Sequence, residues 1–128
     1  MSKPSEFSFH IAKIFPSSGG TSTSIVMNGF SSCMAAEADV INMSLGGPGY
    51  LSAFDLLCQD AYDAGILIVA AAGNGGNNAL SYPASYASVV SVANVAEGDG
   101  VGTNTFGQLS PPRYTQWNDQ TEIAAPGT

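Results

Sequence analysis

Positive charge is what this sequence lacks most. Its 128 residues carry three basic side chains, Lys3, Lys13 and Arg113, against ten acidic ones, for a formal net charge of −7. No basic stripe exists to displace counterions from a phosphate backbone, which argues against nucleic acid as a partner. The same imbalance disfavours an anionic membrane surface. Long apolar runs are missing too, since none approaches the roughly 20 residues of a membrane span. The opening MSKPSEFSF has no apolar core of the kind an export signal carries. Cysteine is scarce. Cys33 and Cys58 fall in helix-like patterns, and buried free thiols are expected there rather than a disulfide.

What is present reads as a globular chain. Hydrophobic residues make up 45% of it, with 15 glycines and no low-complexity tract, so one domain or part of one is expected, able to bury a core. Phe7–Phe15 alternates Phe7, Phe9 and Ile11 against Ser8, His10 and Ala12 and predicts a strand. Pro16 to Gly20 predicts a loop. From Thr23 to about Glu37, Val26, Phe30, Cys33 and Met34 recur at helical spacing. Asp39–Leu45 is a short apolar strand stopped by Gly46, Gly47, Pro48 and Gly49. A second helix opens at Ser52 with Asp55 as capping-box partner. Its polar face is Asp55, Gln59 and Asp63, its apolar face Leu57, Ala61 and Ala64, and Gly65 suits the position just past its end. Strands Ile66–Ala71 and Ser88–Val95 follow, then a short one at Thr121–Ala124. Glu97–Gln120, rich in Gly, Asn, Thr and Pro, predicts an exposed loop.

Strand, helix, strand, helix, strand with nearly continuous apolar strands predicts an α/β fold, a parallel sheet with helices on both faces. Sites in such sheets gather outside the carboxyl ends of the strands. Those ends lead into Pro16, Ser44 and Gly73, three glycine-rich exits.

Three motifs occur in order: Asp39-Val-Ile-Asn-Met-Ser-Leu-Gly-Gly47, Val69-Ala-Ala-Ala-Gly-Asn-Gly75 and Ala125-Pro-Gly127. Tyr82-Pro83-Ala84 and Tyr114-Thr-Gln-Trp117 lie between them. As a set they resemble the subtilisin-like serine proteases (peptidase S8, the subtilases) from about residue 11 to 128, which would make residues 1–128 a partial peptidase domain with an incomplete subtilisin-like fold. The resemblance implies proteolysis by a serine endopeptidase using Asp, His and Ser in that chain order. The Asp-(Ser/Thr)-Gly context and the His-Gly-Thr-His run that carry two of these do not occur in this sequence. The Gly-Thr-Ser-Met-Ala-x-Pro nucleophile motif belongs some twenty residues past Ala-Pro-Gly in the family. His10, mid-strand and beside no glycine, is expected near a sheet surface rather than in a triad. Gly20-Thr21-Ser22 looks like a nucleophile triplet but is followed by Thr23-Ser24-Ile25, so Ser22 is not expected to attack, and neither is Ser44.

What the resemblance does assign is a cleft. Asn74 matches the oxyanion-hole asparagine, a neutral preorganised donor for the oxygen that becomes negative in the transition state. As a bare Asn-Gly pair it would be a turn signal. Ser44, Leu45 and Gly46 resemble one substrate-pairing edge and Gly19, Gly20 and Thr21 the other, with an extended peptide between them as an added strand. Ala71, Ala72 and Gly73 would wall the pocket for the residue before the scissile bond, and such small residues leave room for a large apolar side chain. Val26 and Leu45 would line a more distant apolar pocket. Ala84, Tyr86 and Val89, with Glu122 nearby, match positions where relatives hold a cation, so Ca²⁺ or Na⁺ on carbonyl oxygens is an expectation, although no cofactor is required. Peptide or protein substrates, export from the cell, and pairing with missing parts of its own domain or with itself complete what the resemblance implies. Two other readings stay open. A non-catalytic relative could bind extended peptides in the same cleft. A nucleotide binder could use Ala-Gly-Asn-Gly-Gly as a phosphate nest, against which stand the missing Gly-Lys-Ser/Thr and the acidic charge.

Overall fold

The computed structural model describes residues 7–95 and 115–126. The chain divides into two compact units, Met1–Ala38 and Asp39–Thr128, and each is described by itself.

The first unit contains helix α1, Thr23–Ala35. Ser22 is its N-cap, and its Oγ accepts from the Ile25 N–H at 3.4 Å. That cap role accounts for the serine of the Gly-Thr-Ser triplet. Val26 and Phe30, one turn apart, form the buried stripe of the helix. The strand expected at Phe7–Phe15 is not formed: the segment is irregular, and Phe7, Phe9 and Ile11 are all more than four-fifths exposed. Alternation specifies two faces, but a strand also needs a neighbour for its N–H and C=O groups, and among the described residues none pairs with it. The segment lies instead along α1, where Ile14 comes so close to Gly29 that a Cβ there would sit 2.6 Å from the Ile14 Cγ2. His10 is thus not on a strand. Its Nε2 shares a 2.8 Å hydrogen bond with Ser32 Oγ on α1.

The second unit holds a four-stranded parallel sheet in the order β1-β2-β3-β4: Val40–Met43, Leu67–Ala71, Val90–Val95 and Thr121–Pro126. Each expected strand of this unit is present within a few residues. Register explains the pattern of burial. Ile41 pairs with Ile68, Met43 with Ala70 and Ala70 with Ser91, so these side chains share one face. That face is buried. Val40 and Leu67, paired on the opposite face, stay about half exposed, as does Ile123.

Helix α2, Ser52–Asp63, links β1 to β2 and packs against β2. Its buried stripe is Phe54, Cys58 and Ala61, while Leu57 is half-buried and Ala64 exposed, so the apolar face is rotated from the expected one. Volume decides this, because Phe54 hides more apolar surface than an alanine can. The expected Ser52–Asp55 capping box is absent too. Leu51 is the N-cap and has no side-chain cap of its own. Tyr86 supplies one from afar: its hydroxyl donates to the Leu51 carbonyl at 3.1 Å and accepts from the Leu51 N–H at 3.2 Å. Asp55 instead accepts from the Tyr50 hydroxyl at 2.8 Å. Gly65, just past the helix, has φ +86, the left-handed conformation expected of it. Cys33 is half-buried and Cys58 buried, and both are free.

Candidate active site

Strands β1 and β2 are parallel neighbours, with Met43 beside Ala70, so their carboxyl ends open side by side. The loops leaving them are Ser44–Gly49 and the run from Ala72 onward. Between these loops lies a cavity of about 360 Å³. Ser44, Leu45 and Gly46 border it on the β1 side, Ala71, Gly73 and Asn74 on the β2 side, and Asn77, Ala79, Leu80, Ser81 and Gln116 enclose the rest. Among the described residues no charged side chain lines it.

Three ties hold the loops in place. Gly47 and Tyr82 exchange backbone hydrogen bonds of 3.0 and 2.8 Å, an antiparallel bridge that pins the β1 exit to the Ser81–Pro83 segment. Three rings beneath it stack edge to face or tilted, with Tyr82 4.9 Å from Tyr86 and Tyr50 5.4 Å from Tyr82. The third tie is Gln116. Its backbone N–H donates to the Gly73 carbonyl at 2.8 Å and its side-chain Nε2 to the Ala79 carbonyl at 2.7 Å. Next to it, Trp117 N–H donates to the Asn77 carbonyl at 3.0 Å. The loop carrying Asn74 is therefore stitched at Gly73, Asn77 and Ala79 by one short segment.

Gly73 shows how tight the fit is. Its φ is +110, and a Cβ would lie 1.9 Å from Gln116 Oε1. Only glycine meets both demands. Asn74 follows immediately. Its side chain is exposed at the cavity and has no hydrogen-bond partner among the described residues. An amide so placed is a donor without an acceptor, carried on a loop whose neighbours are fixed.

Six of the expected site residues thus come together: Ser44, Leu45, Gly46, Ala71, Gly73 and Asn74. Ala72 does not join them. It is buried on the other side of the chain, its N–H bonded to the Val92 carbonyl at 2.9 Å. Gly19, Gly20, Thr21 and Val26 belong to the first unit. There Gly19 and Gly20 have open space about them, Thr21 Oγ1 donates to the Ile14 carbonyl at 2.6 Å, and Val26 is buried on α1.

Two of the four expected ion donors accept hydrogen bonds within the fold. The Tyr86 carbonyl accepts from Val89 N–H at 3.1 Å, and Glu122 Oε2 takes the Ser91 N–H at 2.5 Å, where the β3–β4 register shifts. Among the described residues no three acidic, histidine or cysteine side chains gather as metal ligands. The expected site was one of backbone carbonyls, which leaves no such cluster, and no step below passes through an ion.

Gln116 and Ser81 escaped the sequence reading. Thr115 and Gln116 were expected in an exposed loop and are buried. The part of that loop from 97 to 114 lies outside the described residues. No local pattern marks Gln116, because its importance comes from a contact with Gly73 more than forty residues earlier.

A model of the subtilase family matches residues 5–128. The chain belongs to the subtilase family. It is a segment of a subtilisin-like serine protease, and its fold is an incomplete subtilisin-like α/β sheet. This subtilase is similar to Subtilisin DY of Bacillus licheniformis, 41% identical over 92 residues that make up 69% of this chain and 34% of that protein. It is similar to the Minor extracellular protease Epr of Bacillus subtilis, 32% identical over 124 residues, 96% of this chain and 18% of Epr. Among solved structures it resembles the psychrophilic subtilisin-like protease Apa1 from the Antarctic psychrotroph Pseudoalteromonas sp. AS-11. There the TM-score is 0.72 at 36% identity, covering 90% of this chain and 24% of Apa1. The chain spans about a third or less of the length of these relatives.

Proposed function

We propose that the cavity between Ser44–Gly46 and Ala71–Asn74 is the substrate cleft of a serine endopeptidase, with Asn74 as the oxyanion donor. The observation that carries this reading is the exposed, unpartnered Asn74 amide on a loop tied down at Gly73, Asn77 and Ala79. A donor on a loop that is held in place need not reorganise when negative charge develops, which is the source of its effect on the barrier. A peptide would lie along Ser44–Gly46 as an added strand, its main-chain groups answering those of the loop.

The attacking serine, its histidine and the orienting aspartate are not among these residues. His10 is bonded to Ser32 and Ser22 caps α1, so neither is arranged as a base or nucleophile. The chain by itself therefore binds peptide without cleaving it. Catalysis needs the remainder of a subtilase catalytic domain, supplied by a longer chain or by a partner polypeptide, and export follows from the extracellular relative it resembles.

A fluorophosphonate probe tests this, because it reacts only with an activated serine. We expect no labelling of the 128-residue chain. Stoichiometric labelling of any serine in it would refute the assignment. In a full catalytic domain containing this segment, Asn74→Ala should lower kcat by roughly 10²–10³, a magnitude that comes from subtilisin itself. An unchanged kcat would remove Asn74 from the mechanism.

A further inference from the structure

The cavity beside Asn74 is not apolar at its inner end. Ser81 is only 4% exposed and Gln116 only 9%, yet both line the cavity. Buried polar groups are nearly always paired. Here the Ser81 hydroxyl and the Gln116 side-chain oxygen have no hydrogen-bond partner among the described residues, and they are open to the cavity rather than sealed in, since the buried unpaired side-chain atoms among those residues are Ser88 Oγ and Asn94 Oδ1. The orientation of the Gln116 amide is fixed. Its Nε2 donates to the Ala79 carbonyl, which can only accept, so Oε1 is turned the other way, toward Gly73. Ser81 Oγ lies against the same glycine, 3.3 Å from where its Cβ would be, and 2.6 Å from that of Gly46. The two unpaired atoms therefore flank one spot at the cavity wall, between the exits of β1 and β2.

We propose that this spot selects a carboxamide side chain, glutamine or asparagine, at the substrate residue whose carbonyl reaches Asn74. A primary amide offers N–H groups to the Gln116 oxygen and a carbonyl to the Ser81 hydroxyl, satisfying both with one neutral group. Among the described residues the cavity has no charged side chain to hold a lysine, an arginine or an acid. An apolar side chain would fit by volume but would seal two polar groups away from water without partners, which is the costly arrangement. Selection of this kind replaces the large apolar side chain that the small wall residues alone would suggest.

The inference rests on the peptide-cleft reading, and one experiment separates the two. Binding of acetyl-Ala-Ala-Gln-amide and acetyl-Ala-Ala-Met-amide to the full 128-residue chain is followed by the fluorescence of Trp117, the single tryptophan, which adjoins Gln116. Methionine matches glutamine in length but brings no N–H. The glutamine peptide should bind about tenfold more tightly, the equivalent of one to two net hydrogen bonds. Ser81→Ala removes one oxygen without adding bulk and should cut that preference to about threefold. Gln116→Met should abolish it. Equal or tighter binding of the methionine peptide would overturn the carboxamide assignment and leave the cleft standing. Binding of neither peptide would overturn both.

Discussion

Replacing Gly73 with alanine perturbs one methyl group and tests the whole architecture of the Asn74 loop. Two costs add. At φ +110 an L side chain is strained, by about 1–3 kcal/mol. The new Cβ would also stand 1.9 Å from Gln116 Oε1 and 2.8 Å from its Cδ, so the glutamine must leave its place. Leaving breaks the 2.7 Å bond to the Ala79 carbonyl and loosens a buried amide, about 1–3 kcal/mol more. Gly73→Ala should thus destabilise the chain by roughly 2–6 kcal/mol. Part of that cost belongs to Gln116, which a double-mutant cycle isolates. In a Gln116→Ala background the methyl meets no amide, and only the backbone term of about 1–3 kcal/mol should remain. Urea unfolding at low protein concentration, followed by Trp117 fluorescence and by circular dichroism, reads both numbers. A cost below about 0.5 kcal/mol for the single change, or strict additivity in the cycle, would refute the account of Gly73 as the glycine that Gln116 requires.

Three further outcomes are expected. Burial, with a smaller contribution from Asp55, pushes the Cys58 thiol from 9.0 up to about 12. The folded chain then keeps a proton that the unfolded chain loses, so stability is full below about pH 9 and falls toward pH 12, by up to about 4 kcal/mol. Cys58→Ala should flatten that fall in urea melts across this range, and an equally steep fall in the variant would show that the thiol is not its cause. Tyr86→Phe removes the hydroxyl that both donates to and accepts from Leu51, leaving the start of α2 uncapped. A loss of about 1–2 kcal/mol in urea unfolding is expected, and no loss would mean water replaces the hydroxyl. Finally, among the described residues β1 is an edge strand and Val40, Leu67 and Ile123 are about half exposed, so the chain alone should self-associate. Sedimentation velocity checks this, and a single monomer species at all concentrations would contradict it.

The sheet was legible in the sequence because its signals are local. Ile41, Met43, Ile68 and Ala70 are fixed in strands by runs of apolar residues that end at glycine, and parallel pairing follows from the helix between them. Gly65 was readable for the same reason: a left-handed residue after a helix is decided within one turn of chain. Phe7–Phe15 failed for the complementary reason. Its alternation is as regular as that of a strand, but a strand is made by its neighbour, and Phe7, Phe9 and Ile11 remain exposed without one. The face of α2 was misjudged by spacing alone, since Leu57 and Phe54 compete for the same core and the larger ring decides.

The site divides along the same line. Asn74 and the small residues before it were visible because a β-strand ending in Ala-Gly-Asn-Gly is a local pattern with few other uses. What leaves the Asn74 amide unspent on a turn is not local. A turn asparagine spends its amide on its own backbone, as Asn77 does when its Oδ1 accepts from Ala79 N–H at 2.9 Å. Asn74 has no such bond among the described residues, and the turn that it would otherwise have to stabilise is held from outside by Gln116 at Gly73 and Ala79, and by Trp117 at Asn77. The neighbouring asparagines thus have opposite tasks, one folding the loop and one facing the cavity. Their difference is set by a segment forty residues downstream. A sequence motif can name the asparagine, but the structural reason that its amide is free lies in Gln116, whose identity no spacing rule foretells.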